Sequence, residues 1–101
     1  MIESITKIAT YTQGMDFDTF LSDEKTLDAV VRNIEIIGEA ANRIPENIKD
    51  TYPNIEWHKI IAVRNRAIHE YFGIDYRIIW TIIKQYLPIL HADLLLVLSN
   101  L

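Results

Sequence analysis

A chain of 101 residues that is 50% apolar and 24% charged has the length of one domain and the composition of a folded globular protein, which excludes a disordered or low-complexity segment. It contains no cysteine, so disulfide frameworks and Cys-ligated zinc or iron–sulfur sites are excluded. The net charge of −4 argues against a whole-surface nucleic-acid binder, yet residues 1–50 carry 5 Lys/Arg against 10 Asp/Glu while residues 51–101 carry 5 against 4, so any anion-binding site is expected in the second half.

The 3 Gly and 3 Pro leave long uninterrupted segments in which apolar residues recur at spacings of three and four, and no alternating run suggests a strand. An all-α fold follows, with residues 1–101 as one domain. Ile2, Ile5, Ile8 and Ala9 open an amphipathic helix that Gly14 is placed to stop in the left-handed conformation. Glu3 and Lys7 occupy the place of a signal peptide's apolar core, so a cytoplasmic location is expected. A short helical turn around Phe17, Phe20 and Leu21 follows, capped by Asp16. Leu27, Val30, Val31, Ile34, Ile37, Ala41 and Ile44 then mark a long helix with Ser22 or Asp23 as its cap. Pro45 must end it, because proline lacks an amide hydrogen and disfavours helix in the residue before it.

Residues 45–52 suit a short helix, and Pro53-Asn54 offers a break and a cap for a third long helix running through Phe72 to a stop at Gly73. Asp75 caps the last helix, where Ile78, Ile79, Ile82, Ile83, Leu87, Leu90, Leu94, Leu95 and Leu98 make more apolar surface than one neighbouring helix covers, and Pro88 should kink or divide it. Its stretch free of ionisable charge from Gln85 to Leu90, before His91 and Asp93 interrupt it, is short against the roughly 20 apolar residues of a membrane span. Four main helices of these lengths suggest an antiparallel up-and-down bundle with short extra helices. The surplus apolar surface is covered by homodimerisation or, alternatively, used up in a well-filled monomeric core.

The third helix holds the least expected residue. On a wheel of about 100° per step, Ile60, Ile61, Ile68 and Tyr71 fall within about 60° of Trp57, and so does Arg64. An unpaired charge in an apolar stripe costs several kcal/mol, so Arg64 must meet a carboxylate such as Glu39, snorkel to solvent, or line a cleft at an interface. On a continuous helix Asn65 and His69 share one edge, and Arg66 and Glu70 form a solvated pair on the far face. A fixed cation, an amide and a titratable imidazole are the groups that cleavage at a phosphodiester requires. His58 and His69 stand about 16 Å apart along a continuous helix, too far to share a metal ion. Glu35 and Glu39, flanked by Arg32 and Arg43, suit surface ion pairs, and Gly38 with Ala40 and Ala41 suits close helix packing.

The run Arg64-Asn65-Arg66-Ala67-Ile68-His69-Glu70-Tyr71 has the form R-N-x-x-x-H-x-Y and resembles the motif of HEPN ribonucleases, particularly HepT-like toxins. Tyr11-Thr12-Gln13-Gly14, Gly38-Glu39-Ala40, Tyr52-Pro53-x-Ile55-x-Trp57 and Leu87-Pro88 extend the resemblance over nearly the whole chain. Met1 falls where family members are already inside the first helix, so that helix is expected to be about one to two turns short. The resemblance implies a metal-independent endoribonuclease, the toxin of a type VII toxin–antitoxin system, needing no cofactor. Its expected partners are RNA, a cognate MntA-like nucleotidyltransferase antitoxin, and further copies of itself in a homodimer or higher oligomer, with no membrane involved. Arg64, His69 and Asn65 are its expected catalytic residues, Arg64 and Arg66 its RNA contacts, and Tyr71 the residue to which the antitoxin transfers AMP. Packing of Tyr71 with Trp57 and Phe72 in the core is the alternative role for that side chain. A catalytically inactive HEPN subunit that binds and supports a nucleotidyltransferase is the alternative function.

Overall fold

The computed structural model describes residues 1–69 and 73–100, with His69 described through its backbone alone. Helix α1 spans Ile2–Thr12 and buries Ile5 and Ile8. The chain then turns at Gly14, whose φ of +76° is a conformation that a side chain would strain. Asp16 caps α2 (Phe17–Ser22), its carboxylate accepting from the Thr19 amide at 2.8 Å. Hydrogen bonds from the Thr19 backbone and side chain hold the Asp16 carboxyl below the ordinary carboxylate range. Of the two candidate caps for α3 (Glu24–Arg43), Asp23 takes the position and accepts from the Thr26 amide at 3.1 Å. Leu27, Val30, Val31, Ile34, Ile37 and Ala41 are buried along that helix, and Ile44 leaves it in extended geometry before Pro45. Helix α4 (Glu46–Thr51) is the expected short element.

The third long helix departs from expectation at both ends. It begins at Trp57 rather than behind Asn54, because residues 52–56 wrap into a turn in which the Trp57 indole donates to the Tyr52 carbonyl at 3.2 Å and Ile55 is buried. Helix α5 (Trp57–Ala67) also stops well before Gly73. Ile68–His69 (β1) pairs antiparallel with Gly73–Ile74 (β2), placing Ile68 opposite Ile74 and His69 opposite Gly73. The Asp75 amide donates to the Ala67 carbonyl at 3.0 Å, satisfying one of the acceptors that a helix C-terminus leaves open. Gly73 has φ +86°, so it serves the hairpin and not a helix end. Glu70, Tyr71 and Phe72 lie outside the described residues.

Asp75 caps α6 (Tyr76–Thr81) by accepting from the Arg77 and Ile78 amides, each at 3.1 Å. A π turn, Ile82–Tyr86, and α7, Leu87–Ser99, continue the same rod. Pro88, in the first turn of α7, divides the helix as expected, and the Leu87 amide donates to the Ile82 carbonyl five residues back. The rod of 24 residues, Tyr76–Ser99, contains a window of mean hydropathy 1.4 and is long and apolar enough, by length and composition, to cross a membrane. That corrects the expectation drawn from its charge-free stretch. The core helix of a soluble domain meets the same two criteria, and Ile79, Ile82, Ile83, Leu87, Leu90, Leu94 and Val97 are buried in the domain's own core.

Helix α3 packs on α1 and on α5, and the C-terminal rod reaches α5 through α6 and α1 through α7. Fully buried Phe20, its ring centroid 4.9 Å from that of Trp80, joins α2 to this core. Ile89, Leu95, Leu96 and Leu98 of α7 point outward. Among the described residues the fold is thus all-α apart from the four-residue β pair.

Candidate functional site

At about 100° per residue, Arg64 and Arg66 leave α5 about 160° apart, so the two cations of the motif serve different flanks of one helix. Arg64 faces α3 and is half-buried. A Cβ built on Gly38 would lie 3.0 Å from Arg64 Cγ and 3.2 Å from Arg64 Cβ, so the missing side chain of Gly38 is the space in which the aliphatic stem of Arg64 runs. Its guanidinium donates from Nη1 to Asn65 Oδ1 at 3.0 Å. Glu39 is exposed, and no ion pair joins it to Arg64 among the described residues, so a buried Arg64–Glu39 bridge is not how the charge is accommodated. The stem packs against backbone while the charged end reaches the edge of the helix.

His69 is not on the helix edge with Asn65. It stands two residues past the end of α5, on β1, held by pairing with Gly73. The helical separation expected between Arg64 and His69 therefore does not apply, because the His69 backbone belongs to a β pair and not to α5. Arg66 is exposed; Glu70, its expected i, i+4 partner, and Tyr71 lie outside the described residues.

The second flank of α5 carries a feature that the sequence reading did not single out. Lys59, Val63 and Arg66, on one face of the helix, form one wall of an open groove of about 600 Å³, and the C-terminal rod forms the other with Arg77, Gln85 and Ile89 among its lining residues. Lys59 also pairs with Glu56 at 3.3 Å and lies 5.5 Å from the Tyr86 ring, and the Arg77 guanidinium sits 4.2 Å over the Phe17 ring. Burial, reinforced by the Glu56 and Asp93 carboxylates, pushes the Tyr86 hydroxyl up to about 12. The charge balance of the second half pointed to an anion site somewhere in it, without joining Lys59 and Arg66 to Arg77.

Among the described residues no group of three His, Cys, Asp or Glu side chains is placed to hold a metal ion. Arg32 and Glu35 do form a surface pair, at 4.0 Å.

Arg64 is thus tethered to Asn65 near the end of α5, and the His69 backbone follows two residues beyond that end. A family model described as "Ribonuclease HepT-like" matches residues 1–95. A Methanocaldococcus jannaschii protein whose name marks it as an inferred RNase is 42% identical over 88 residues, covering 87% of this chain and 73% of that protein. An inferred ribonuclease HepT of Thermococcus cleftensis is also 42% identical, over 86 residues, covering 85% of this chain and 78% of its own. An inferred RNase of Caldanaerobacter subterraneus is 40% identical over 76 residues, covering 75% and 68%. No solved structure matches the chain. The resemblance first carried by residues 64–71 therefore holds over almost the full sequence, and the chain belongs to the HepT-like ribonuclease family.

Proposed function

We propose that the protein is a metal-independent endoribonuclease acting in the cytoplasm as the toxin of a toxin–antitoxin pair, with Arg64, Asn65 and His69 as its catalytic residues. The observation that carries this reading is the accommodation of Arg64. Its stem runs over Gly38 and its guanidinium is tethered to Asn65, which presents a fixed positive charge at the helix edge beside the hairpin of His69. RNA brings its own nucleophile. The ribose 2′-oxygen bonds to the adjacent phosphorus, the bond from phosphorus to the 5′-oxygen breaks, and the products are a 2′,3′-cyclic phosphate and a 5′-hydroxyl. His69 takes the 2′-hydroxyl proton or delivers one to the leaving oxygen, and Arg64 stabilises the charge that gathers on the phosphorane. Because the nucleophile is internal, the reaction needs no metal-bound water.

A two-fold homodimer would bring two such sites together, and the outward Leu95, Leu96 and Leu98 supply apolar surface for association. The cognate partner in this reading is a nucleotidyltransferase that transfers AMP to Tyr71, adding a charge of about −1 and a bulky adenosine close to the site.

Purified protein incubated with RNA in the presence of a chelator should generate cyclic-phosphate ends, and Arg64→Ala and His69→Ala should each reduce cleavage by about 100-fold or more. Full activity in both variants would reject the assignment. An inert wild-type chain that still binds a nucleotidyltransferase would establish the supporting-subunit role instead. Mass spectrometry after co-expression with that partner should find adenylyl mass on the Tyr71 peptide, and Tyr71→Phe should escape neutralisation.

A further inference from the structure

The groove between α5 and the C-terminal rod lies on the flank of α5 opposite Arg64, and the catalytic proposal leaves it unused. Its lining gathers three of the five Lys and Arg residues of the second half, Lys59, Arg66 and Arg77, and no carboxylate among the described residues, in a chain of net charge −4. Such a local reversal of sign focuses an anion into the cleft. The cations are also placed relative to the hairpin. Arg66 lies two residues before β1, and Arg77 lies three residues after the end of β2, so both ends of the segment that carries His69 open on this groove. Lys59 stands seven residues from Arg66, about 10.5 Å farther along α5. Between the cations stand apolar side chains, Val63 on α5 and Ile78 and Ile89 on the rod, interspersed with Thr81, Gln85 and Tyr86, while Lys59 shares its charge with Glu56 at the rim.

A row of cations separated by apolar surface suits a single nucleic-acid strand, whose phosphates track the charges while unpaired bases lie on the apolar wall. Duplex RNA would keep its bases stacked in the helix, away from that wall. We propose that this groove is the binding track for single-stranded RNA flanking the cleaved phosphodiester, with Arg66 and Arg77 gripping the phosphates nearest the hairpin and Lys59 a phosphate farther out. The proposal rests on the reading of the chain as an RNA-cleaving enzyme. It adds Lys59 and Arg77 to the substrate contacts and assigns the substrate class as single-stranded.

The test is equilibrium binding of a labelled single-stranded oligoribonucleotide of about ten nucleotides to the full chain carrying His69→Ala, which prevents cutting during titration. In that background Lys59→Gln and Arg77→Gln should each weaken binding about fivefold and lower the slope of log affinity against log salt by about 0.7. Lys59 is half-exposed, so its variant keeps the fold even if Arg77→Gln, which loses the contact with Phe17, does not. Lys7→Ala, on α1 and outside the groove, should change nothing, and a duplex of the same sequence should bind more weakly than the single strand. Unchanged affinity and salt slope in folded Lys59→Gln and Arg77→Gln would overturn the track, even where the unmodified chain cleaves RNA. Loss of oligonucleotide binding in those variants, beside a wild-type chain that cuts nothing, would uphold the track and reject the nuclease reading. A change of solution mass caused by Lys59→Gln, with RNA binding intact, would make the groove a contact between copies of the chain and overturn the proposal.

Discussion

On its α3 flank, α5 meets backbone: the stem of Arg64 lies where Gly38 has no side chain, and there is little room beside it. On the flank toward the C-terminal rod the same helix borders an open groove, and Lys59 and Arg66 stand there half or fully exposed. One cation is fixed by packing and the others by position along a cleft. A packed cation loses little further freedom when charge develops beside it, which suits transition-state stabilisation; solvated cations attract a strand without dictating its geometry. On the proposed reading the helix separates the chemistry from the grip, and each flank can be disturbed alone.

The largest effect should come from removing what the two flanks share. Ile60 is buried on α5 between them, and Ile60→Ala should cost about 2–5 kcal/mol in denaturant unfolding, with binding and cleavage falling together. A loss confined to one function would break the comparison. Next, Gly38→Val thrusts a branched side chain into the stem of Arg64 and should cost about 1–3 kcal/mol, with cleavage reduced well beyond oligonucleotide binding. Gly38→Ala sharpens the point. Its gain in helix propensity of about 1 kcal/mol offsets the contact at 3.0 Å, so stability should hardly move while cleavage falls as Arg64 shifts.

A smaller effect is expected where the hairpin is anchored. Asp75→Ala removes the acceptor of the Arg77 and Ile78 amides and should destabilise by about 1 kcal/mol, with loss of amide-exchange protection centred on α6. The smallest concerns Tyr86, on the groove flank. Its hydroxyl titrates near 10 when unfolded and is raised to about 12 in the fold, chiefly by burial. Proton uptake therefore favours the folded state between those values: the contribution is complete below about pH 10 and is lost as pH rises toward 12. Tyr86→Phe should flatten that alkaline decline, and an unchanged melting profile above pH 10 would show that Tyr86 does not cause it.

What could be read in the sequence was set locally. Asp16, Asp23 and Asp75 each cap a helix by accepting from an amide two or three residues ahead, and Gly14 and Pro45 act through their own backbone. Arg64 was conspicuous because a charge in an apolar stripe demands a partner, but that partner was a gap, the absent side chain of Gly38. The end of α5 was not legible. No glycine or proline stands between Trp57 and Gly73, and the Ala67 carbonyl is satisfied by the Asp75 amide eight residues ahead, through a hairpin whose only sequence mark is one glycine. The groove was illegible for a similar reason: Arg77 joins Lys59 and Arg66 only once that hairpin has folded the rod back along α5.

The π turn at Ile82–Tyr86 sets the phase between the two halves of the C-terminal rod. Each extra residue in a helical turn rotates everything beyond it by about 100°. Groove residues stand on both sides of the turn, Arg77 and Ile78 before it and Ile89 after it, and so do core residues, Ile79 before it and Leu90, Leu94 and Val97 after it. The turn works as a fixed phase offset between two half-helices. A single-residue deletion within it would rotate the downstream half by about 100° against the upstream half, turning Ile89 and Leu90 away from the faces they now hold. Length between Trp80 and Leu90 should therefore be far less tolerant of change than residue identity.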